Sequence, residues 1–212
     1  MFACLLAVSS YSQSAFKPVK VDDVITISFP GEVTKQDTTA QNVHTHQLYL
    51  NTDTETFIIQ KLDLKNITQD KNTLPDDKEG LLSVYKDFAE GYVNGMASRS
   101  YKLLDQGEIA IDGTIGYVVR MKLAKQIVGQ ARFLNIGDHA YIAGYYNATD
   151  YTKAKAEAFF STIDVAEKHP PQYNADNTSS AYKAGRVAGV LFLLLVAIGI
   201  VIYLLAGKRA RR

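Results

Sequence analysis

The stretch that decides the fold runs from residue 103 to residue 146: LLDQGEIAIDGTIGYVVRMKLAKQIVGQARFLNIGDHAYIAGYY. The runs 103–111, 115–123, 127–136 and 139–146 have strand signals, and in 115–123 apolar side chains alternate with Gly116, Arg120 and Lys122, a pattern typical of strands with one buried face. The breaks between the runs are short and contain the turn residues DGT, AK and GD. Because consecutive strands joined by tight turns pair antiparallel, the stretch predicts a four-stranded antiparallel meander.

Further strand patterns lie upstream of the meander. Residues 25–29, ITISF, alternate and end at a Pro-Gly pair, so a strand is predicted there, with a returning strand over 32–38. The runs 43–50 and 55–64 flank the polar segment NTDT, which predicts a hairpin.

Two segments have helical periodicity, and the polar segment 65–78 before the first of them is expected to be a loop. Within residues 79–98 the apolar stripe consists of Leu81, Tyr85, Phe88, Tyr92 and Met96. Residues 151–163 predict a short second helix, with Asp150 as its N-cap. The side chains expected to face inward from it are Ala154, Ala158, Phe159 and Ile163. Strands, helix, meander and helix in this order predict an α+β domain over residues 19–165, an antiparallel β-sheet with helices packed on it.

The C-terminal residues predict a membrane anchor. Residues 187–206 carry no charged side chain, and about twenty helical residues span about 30 Å, the thickness of the bilayer hydrocarbon. The cations of residues 207–212 outnumber those just before the span. This basic tail is therefore expected in the cytoplasm and the domain outside it. Residues 166–186, rich in Pro, Asn and Ser, predict a flexible stalk between the domain and the anchor.

An external domain needs an export signal. Residues 1–15 begin with an apolar stretch followed by small residues, which predicts a truncated signal peptide. The alternative is that these residues form an ordinary first strand. A third possibility is the reverse topology, a tail-anchored cytosolic domain.

Composition narrows the function classes. The formal net charge is +1, which gives no indication of nucleic-acid binding. The single cysteine, Cys4, lies inside the predicted signal peptide, so neither disulfides nor thiol chemistry are expected in the exported domain. The sequence has no G-x-S-x-G elbow and no glycine-rich phosphate loop. It therefore predicts no catalytic residue and no cofactor.

Two sets of side chains are candidates for binding sites. His44 and His46 are two residues apart on a strand, so they share a face, and with His139 from a later strand they would form a three-histidine zinc site. The alternative is that they are polar residues on a solvated strand face. A basic patch that would bind anionic headgroups, or simply cover the outer face of a sheet, consists of Arg120, Lys122, Lys125 and Arg132. Gly185 and Gly189 form a small-xxx-small pattern that predicts at most weak homodimerisation.

Four segments in order, ISFPGEV, EIAIDGTIGYVVRMKL, ARFLNIGDHAYIAGYY and KAEAFFSTIDV, resemble the PsbP-like domains, the superfamily of the extrinsic photosystem II subunit. The resemblance covers residues 24–165 and implies an α/β sandwich with a non-enzymatic binding or assembly role. It assigns no metal or ligand residue here, and the predicted membrane span departs from the photosynthetic members. We therefore expect a single-pass protein of the bacterial inner membrane that binds an envelope protein or a small ligand. The alternative is an anchored hydrolase or metal-dependent enzyme.

Overall fold

The computed structural model describes residues 16–40, 43–65, 74–96 and 100–174. The strands in these ranges are β1 (Lys17–Lys20), β2 (Ile25–Phe29), β3 (Thr34–Ala40), β4 (Val43–Asn51), β5 (Glu55–Asp63), β6 (Tyr101–Ile111), β7 (Thr114–Leu123), β8 (Gln126–Ile136), β9 (His139–Asn147) and β10 (Asp164–Val165). The helices are α1 (Lys78–Met96) and α2 (Lys153–Phe160).

A seven-stranded antiparallel sheet with the order β3-β4-β5-β9-β8-β7-β6 forms the centre of the domain. The predicted meander is confirmed as β6 to β9, and the predicted hairpin as β4 and β5. The two units join where β5 pairs with β9, from Glu55 opposite Asn147 to Asp63 opposite His139. The long apolar strands β5, β8 and β9 therefore lie inside the sheet, where both of their faces can be covered.

Helix α1 covers one face of this sheet, here called the helix face. The predicted apolar stripe is confirmed, since its five side chains are all buried. The ring of Tyr85 stacks on that of Tyr117 with centroids 5.9 Å apart. Tyr92 meets Phe133 edge-on at 5.4 Å. Rings of this size remove much apolar surface from water, so they dominate this half of the core.

The opposite face, here called the sandwich face, is covered by α2 and by a small three-stranded sheet with the order β1-β2-β10. The ring of Phe159 in α2 packs against Phe29 of β2 at 5.5 Å and against Phe57 of β5 at 5.2 Å. Mostly antiparallel strands with two helices confirm the predicted α+β class. The small sheet itself was not predicted.

Several local predictions need correction. Helix α2 is capped by Thr152, whose hydroxyl accepts the backbone N–H of Lys155 at 3.3 Å, and not by Asp150. The N–H of Asp150 instead donates to the side chain of Asn147. Ala154 and Ala158 are exposed and Ala156 faces inward, whereas Phe159 and Ile163 are buried as predicted. Strand β3 begins at Thr34 rather than at residue 32.

The folded domain continues beyond Val165. The buried side chain of Gln172 donates to the carbonyls of Ile115 at 2.7 Å and Asn135 at 3.0 Å, and accepts the N–H of Ile115 at 3.0 Å. The backbone N–H of Asn174 donates to Pro75 at 2.8 Å. Residues 166–174 therefore belong to the domain and not to the predicted stalk.

Neither helix in the described ranges is both long enough and apolar enough to cross a bilayer. The predicted signal peptide, residues 1–15, lies outside the described residues. So do residues 175–186 of the predicted stalk, the predicted span 187–206 and the basic tail 207–212.

Candidate functional site

His44 and His46 lie on the sandwich face of β4 and share one carboxylate from β3. The Nδ1 atom of His46 is 2.8 Å from Oδ1 of Asp37, and Nε2 of His44 is 3.6 Å from the same oxygen. Thr39 lies 3.3 Å from the other ring nitrogen of His44. The hydrogen bond with His46 lowers the pKa of Asp37. The predicted shared face of these two histidines is confirmed, and sequence reasoning missed Asp37 because it lies on a neighbouring strand.

His139 lies apart from this pair. It is in β9, and β5 lies between β9 and β4, so its backbone is about 10 Å from that of His44. Burial lowers the pKa of the half-buried His139 ring, and the nearby Lys61 ammonium lowers it further. Among the residues that the structure describes, no group of three or more His, Cys, Asp or Glu side chains is placed to hold a metal ion. The three histidines therefore do not form a common ligand set in this arrangement.

Asp22, in the turn between β1 and β2, is the centre of a second polar cluster. Its carboxylate accepts the backbone N–H groups of Val24 at 2.8 Å and Ile25 at 2.9 Å, the Tyr141 hydroxyl at 2.7 Å and the Lys61 ammonium at 2.6 Å. Burial by itself would raise the pKa of Asp22, but these donors outweigh it and lower the pKa from 3.8 to about 2. Burial and the adjacent carboxylate together raise the pKa of Tyr141.

Glu55 of β5 forms a similar cluster under α2. Its Oε1 atom accepts the Tyr145 hydroxyl at 2.7 Å, the Lys155 ammonium at 3.0 Å and the side-chain amide of Asn147 at 3.5 Å. Burial acts to raise the pKa of Glu55, yet the donors lower it overall. Both clusters join an outer element to the large sheet. Neither was predicted, because the partners are far apart along the chain.

Arg120, Lys122 and Arg132 of the predicted basic patch lie on one side of the paired strands β7 and β8, and carboxylates pair with both arginines. Arg132 lies beneath α2, where it pairs with Glu157 at 2.6 Å and its guanidinium lies 4.5 Å from the centre of the Phe160 ring. Arg120 pairs with Asp105 at 2.8 Å. Lys122 and Lys125 lie together near the β7–β8 turn, about 20 Å along β8 from Arg132. Of the four predicted cations, the two lysines occupy a surface position at the β7–β8 turn and form no ion pair within the described residues.

That position has further exposed side chains. The exposed large hydrophobic residues of the described ranges are Leu103, Leu104 and Ile127, with 36%, 41% and 38% of their surface accessible. Cross-strand pairing places Lys102 opposite Lys122, and Lys122 opposite Ile127. We call this surface the lysine tip, consisting of Lys102, Leu103, Leu104, Lys122, Lys125 and Ile127. The sequence pattern did not single out its apolar members because apolar residues are expected throughout the strands of the meander.

The sequence matches no model of a known protein family and no curated protein. The resemblance to PsbP-like domains therefore stays a prediction.

Proposed function

We propose that this chain is a single-pass membrane protein that displays one PsbP-like α/β sandwich outside the cytoplasm as a binding or assembly module. In this proposal residues 187–206 cross the inner membrane of a bacterial cell and residues 207–212 face the cytoplasm. The observation that carries it is the uncharged segment 187–206 followed by the cations of the tail. The domain that precedes this segment is folded through Asn174, so the proposed anchor follows a folded domain.

The contacts of Asp22, Glu55 and Asp37 give no support to the hydrolase alternative. A general base at neutral pH needs a pKa near the working pH and access to a proton. Asp22 and Glu55 instead have lowered pKa values, and each is held by several internal donors. The exposed Asp37 is held by His46, and its pKa is also lowered. These side chains stabilise the fold and do not resemble a poised acid–base pair.

Topology is tested with single cysteines in a Cys4→Ala chain. One variant has Asp53→Cys in the exposed turn between β4 and β5, and its matched partner has Ala210→Cys in the basic tail. We expect a membrane-impermeant maleimide to label residue 53 in intact spheroplasts, and residue 210 only after permeabilisation. The opposite pattern would establish a cytosolic domain with a tail anchor and overturn the proposed orientation.

Carbonate extraction tests the anchor independently of orientation. We expect the full chain to remain in the membrane pellet and a chain that ends at residue 186 to be released, because only the former has the apolar segment. Release of the full chain by carbonate would show that the segment does not anchor it.

A further inference from the structure

We propose that the free edge of strand β6, with the lysine tip at its start, docks on an anionic lipid bilayer. This deepens the proposed function because it names the surface and the partner of the binding module. It rests on that function only in assuming that the domain is held beside a membrane. The surface combines exposed apolar groups, uncompensated charge and an irregular strand edge, and the last described residues of the chain lie near it.

The apolar component is concentrated at one place. Leu103 and Leu104 are adjacent at the start of β6, and Ile127 lies two strands away at the start of β8. Aliphatic side chains that project from the end of a hairpin can enter the boundary between lipid headgroups and acyl chains, where transfer out of water is favourable. All three large exposed hydrophobic residues of the described ranges are in this surface.

The uncompensated charge of this edge is positive. The carboxylates of β6 are paired, Asp105 with Arg120 at 2.8 Å and Glu108 with Lys78 at 2.7 Å. Within the ranges that the structure describes, no ion pair involves the three lysines Lys102, Lys122 and Lys125. Anionic headgroups attract lysines at the membrane surface, and the long side chain lets the ammonium reach them while its methylenes cover apolar surface.

The strand edge itself favours a lipid surface over a protein strand. Strand β6 is the last strand of the seven-stranded sheet, and no strand of the described ranges pairs with its outer edge. Its register shifts between Leu103 and Asp105, which places a β-bulge at Leu104. Bulges and lysines at a sheet edge oppose the addition of another strand. Protein interfaces are also depleted in lysine and enriched in aromatic residues and arginine, unlike this surface.

The point at which the chain leaves the described domain, residues 172–174 and here called its exit, lies near the same edge. Gln172 is bonded to Ile115 of β7, and Asn174 to Pro75 just before α1. The first residue of that helix, Lys78, pairs with Glu108 of β6. The lysine tip lies at the other end of β7, whose 10 residues extend over about 33 Å. A domain lying along its β6 edge therefore brings both its exit and its lysine tip to one membrane plane.

The test uses the full chain with Cys4→Ala and Ile127→Cys, labelled with an environment-sensitive fluorophore. The chain is reconstituted in vesicles of phosphatidylcholine alone or mixed with phosphatidylglycerol. In the anionic vesicles we expect blue-shifted emission that brominated acyl chains quench and aqueous iodide does not. A label at Asp53→Cys, at the same end of the sheet but near its opposite edge, should remain accessible to iodide.

Charge reversal identifies the groups responsible. The variant Lys102→Glu/Lys122→Glu/Lys125→Glu should lower the ratio of lipid-bound to free tip on the order of a hundredfold, about fivefold for each lysine. A control with the same change in net charge reverses three exposed lysines on other elements, Lys17→Glu/Lys35→Glu/Lys153→Glu. The control should retain lipid contact.

Three results would overturn the proposal. These are exposure of the label at residue 127 to iodide in anionic vesicles, retention of the label in lipid after charge reversal, and burial of the label in vesicle-free detergent as the protein concentration rises. The last result would assign the surface to a second copy of the chain. Failure of the proposed anchor can be distinguished from failure of lipid docking. A chain released by carbonate can be added to preformed vesicles, and the fluorescence of the label is measured in the same way.

Discussion

Asp22 lies in a short turn and joins the small sheet to the large one. Two of its hydrogen bonds close its own turn, at Val24 and Ile25, and the other two reach Lys61 and Tyr141 in the large sheet. A carboxylate with its acceptor sites filled by donors is stable when partly buried, whereas removing the charge leaves an ammonium without its partner. The side chain therefore controls how firmly β1 and β2 are held.

We predict that Asp22→Asn lowers the free energy of unfolding at pH 7 by about 2 kcal/mol, the value that corresponds to the lowered pKa. A lowered carboxyl pKa contributes stability above the unfolded value, and this contribution is lost as pH falls through the folded value. The wild type should therefore lose stability between about pH 4 and pH 2 more steeply than the variant. Urea unfolding across this pH range measures both effects.

The control for this prediction is Asp23→Asn. The Asp23 side chain is 95% exposed and, within the described residues, forms an ion pair with Lys20 alone, so its replacement should change the free energy of unfolding by less than about 0.5 kcal/mol. An equal loss of stability in both variants would mean that the Asp22 contacts with the large sheet contribute little.

The candidate binding residues show which features of a site can be predicted from a single sequence. The shared face of His44 and His46 follows from the two-residue period of a strand, and the structure confirms it. Whether His139 lies next to them depends on the order of strands in the sheet. No pattern of neighbouring residues in the sequence indicates this order. The same holds for Arg132, because its position in the sequence of β8 does not show that α2 covers it.

At the level of elements, strong periodicity was a reliable guide. The alternation in 115–123 and the stripe in α1 arise from side chains that must be buried on one face, so the pattern is imposed by the fold itself. Strand β10 has 2 residues and β1 has 4, largely exposed. Elements this short have too few residues to show a period in the sequence.

Close contact between neighbouring strands depends on glycine at one position in β8. A Cβ atom at Gly129 would lie 2.4 Å from Cδ1 of Tyr146 and 3.3 Å from the carbonyl of Tyr145, both in the paired strand β9. The Tyr146 ring thus covers the bare backbone of Gly129. No other side chain fits there unless the ring moves.

We predict that Gly129→Ala lowers the free energy of unfolding by about 1–3 kcal/mol, because the Tyr146 ring must leave its position. The matched control is Gly107→Ala in β6, where an added Cβ meets nothing within 4 Å. The control should lie within about 0.5 kcal/mol of the wild type in thermal or urea unfolding. A neutral Gly129→Ala would show that the ring is free to rearrange.

At the scale of the whole molecule, one sheet separates two hydrophobic clusters. The helix-face cluster contains α1, and the sandwich-face cluster contains α2 and the small sheet. The strands β5, β8 and β9 contribute side chains to both clusters. Because alternate residues of the same strands serve the two faces, loss of packing on one face should weaken the sheet that supports the other.

We predict that the two clusters unfold as one unit. Phe159→Ala removes a ring that contacts Phe29, Phe57 and Phe160 on the sandwich face and should cost about 3–5 kcal/mol. If the sheet couples the two faces, amide hydrogen exchange in α1 will become faster by the factor that corresponds to this loss of unfolding free energy. This is expected even though α1 lies on the opposite face of the sheet. The reciprocal variant, Phe88→Ala on the helix face, should likewise speed exchange in β2. Unchanged exchange in α1 of Phe159→Ala would show that the helix face holds the sheet without its partner.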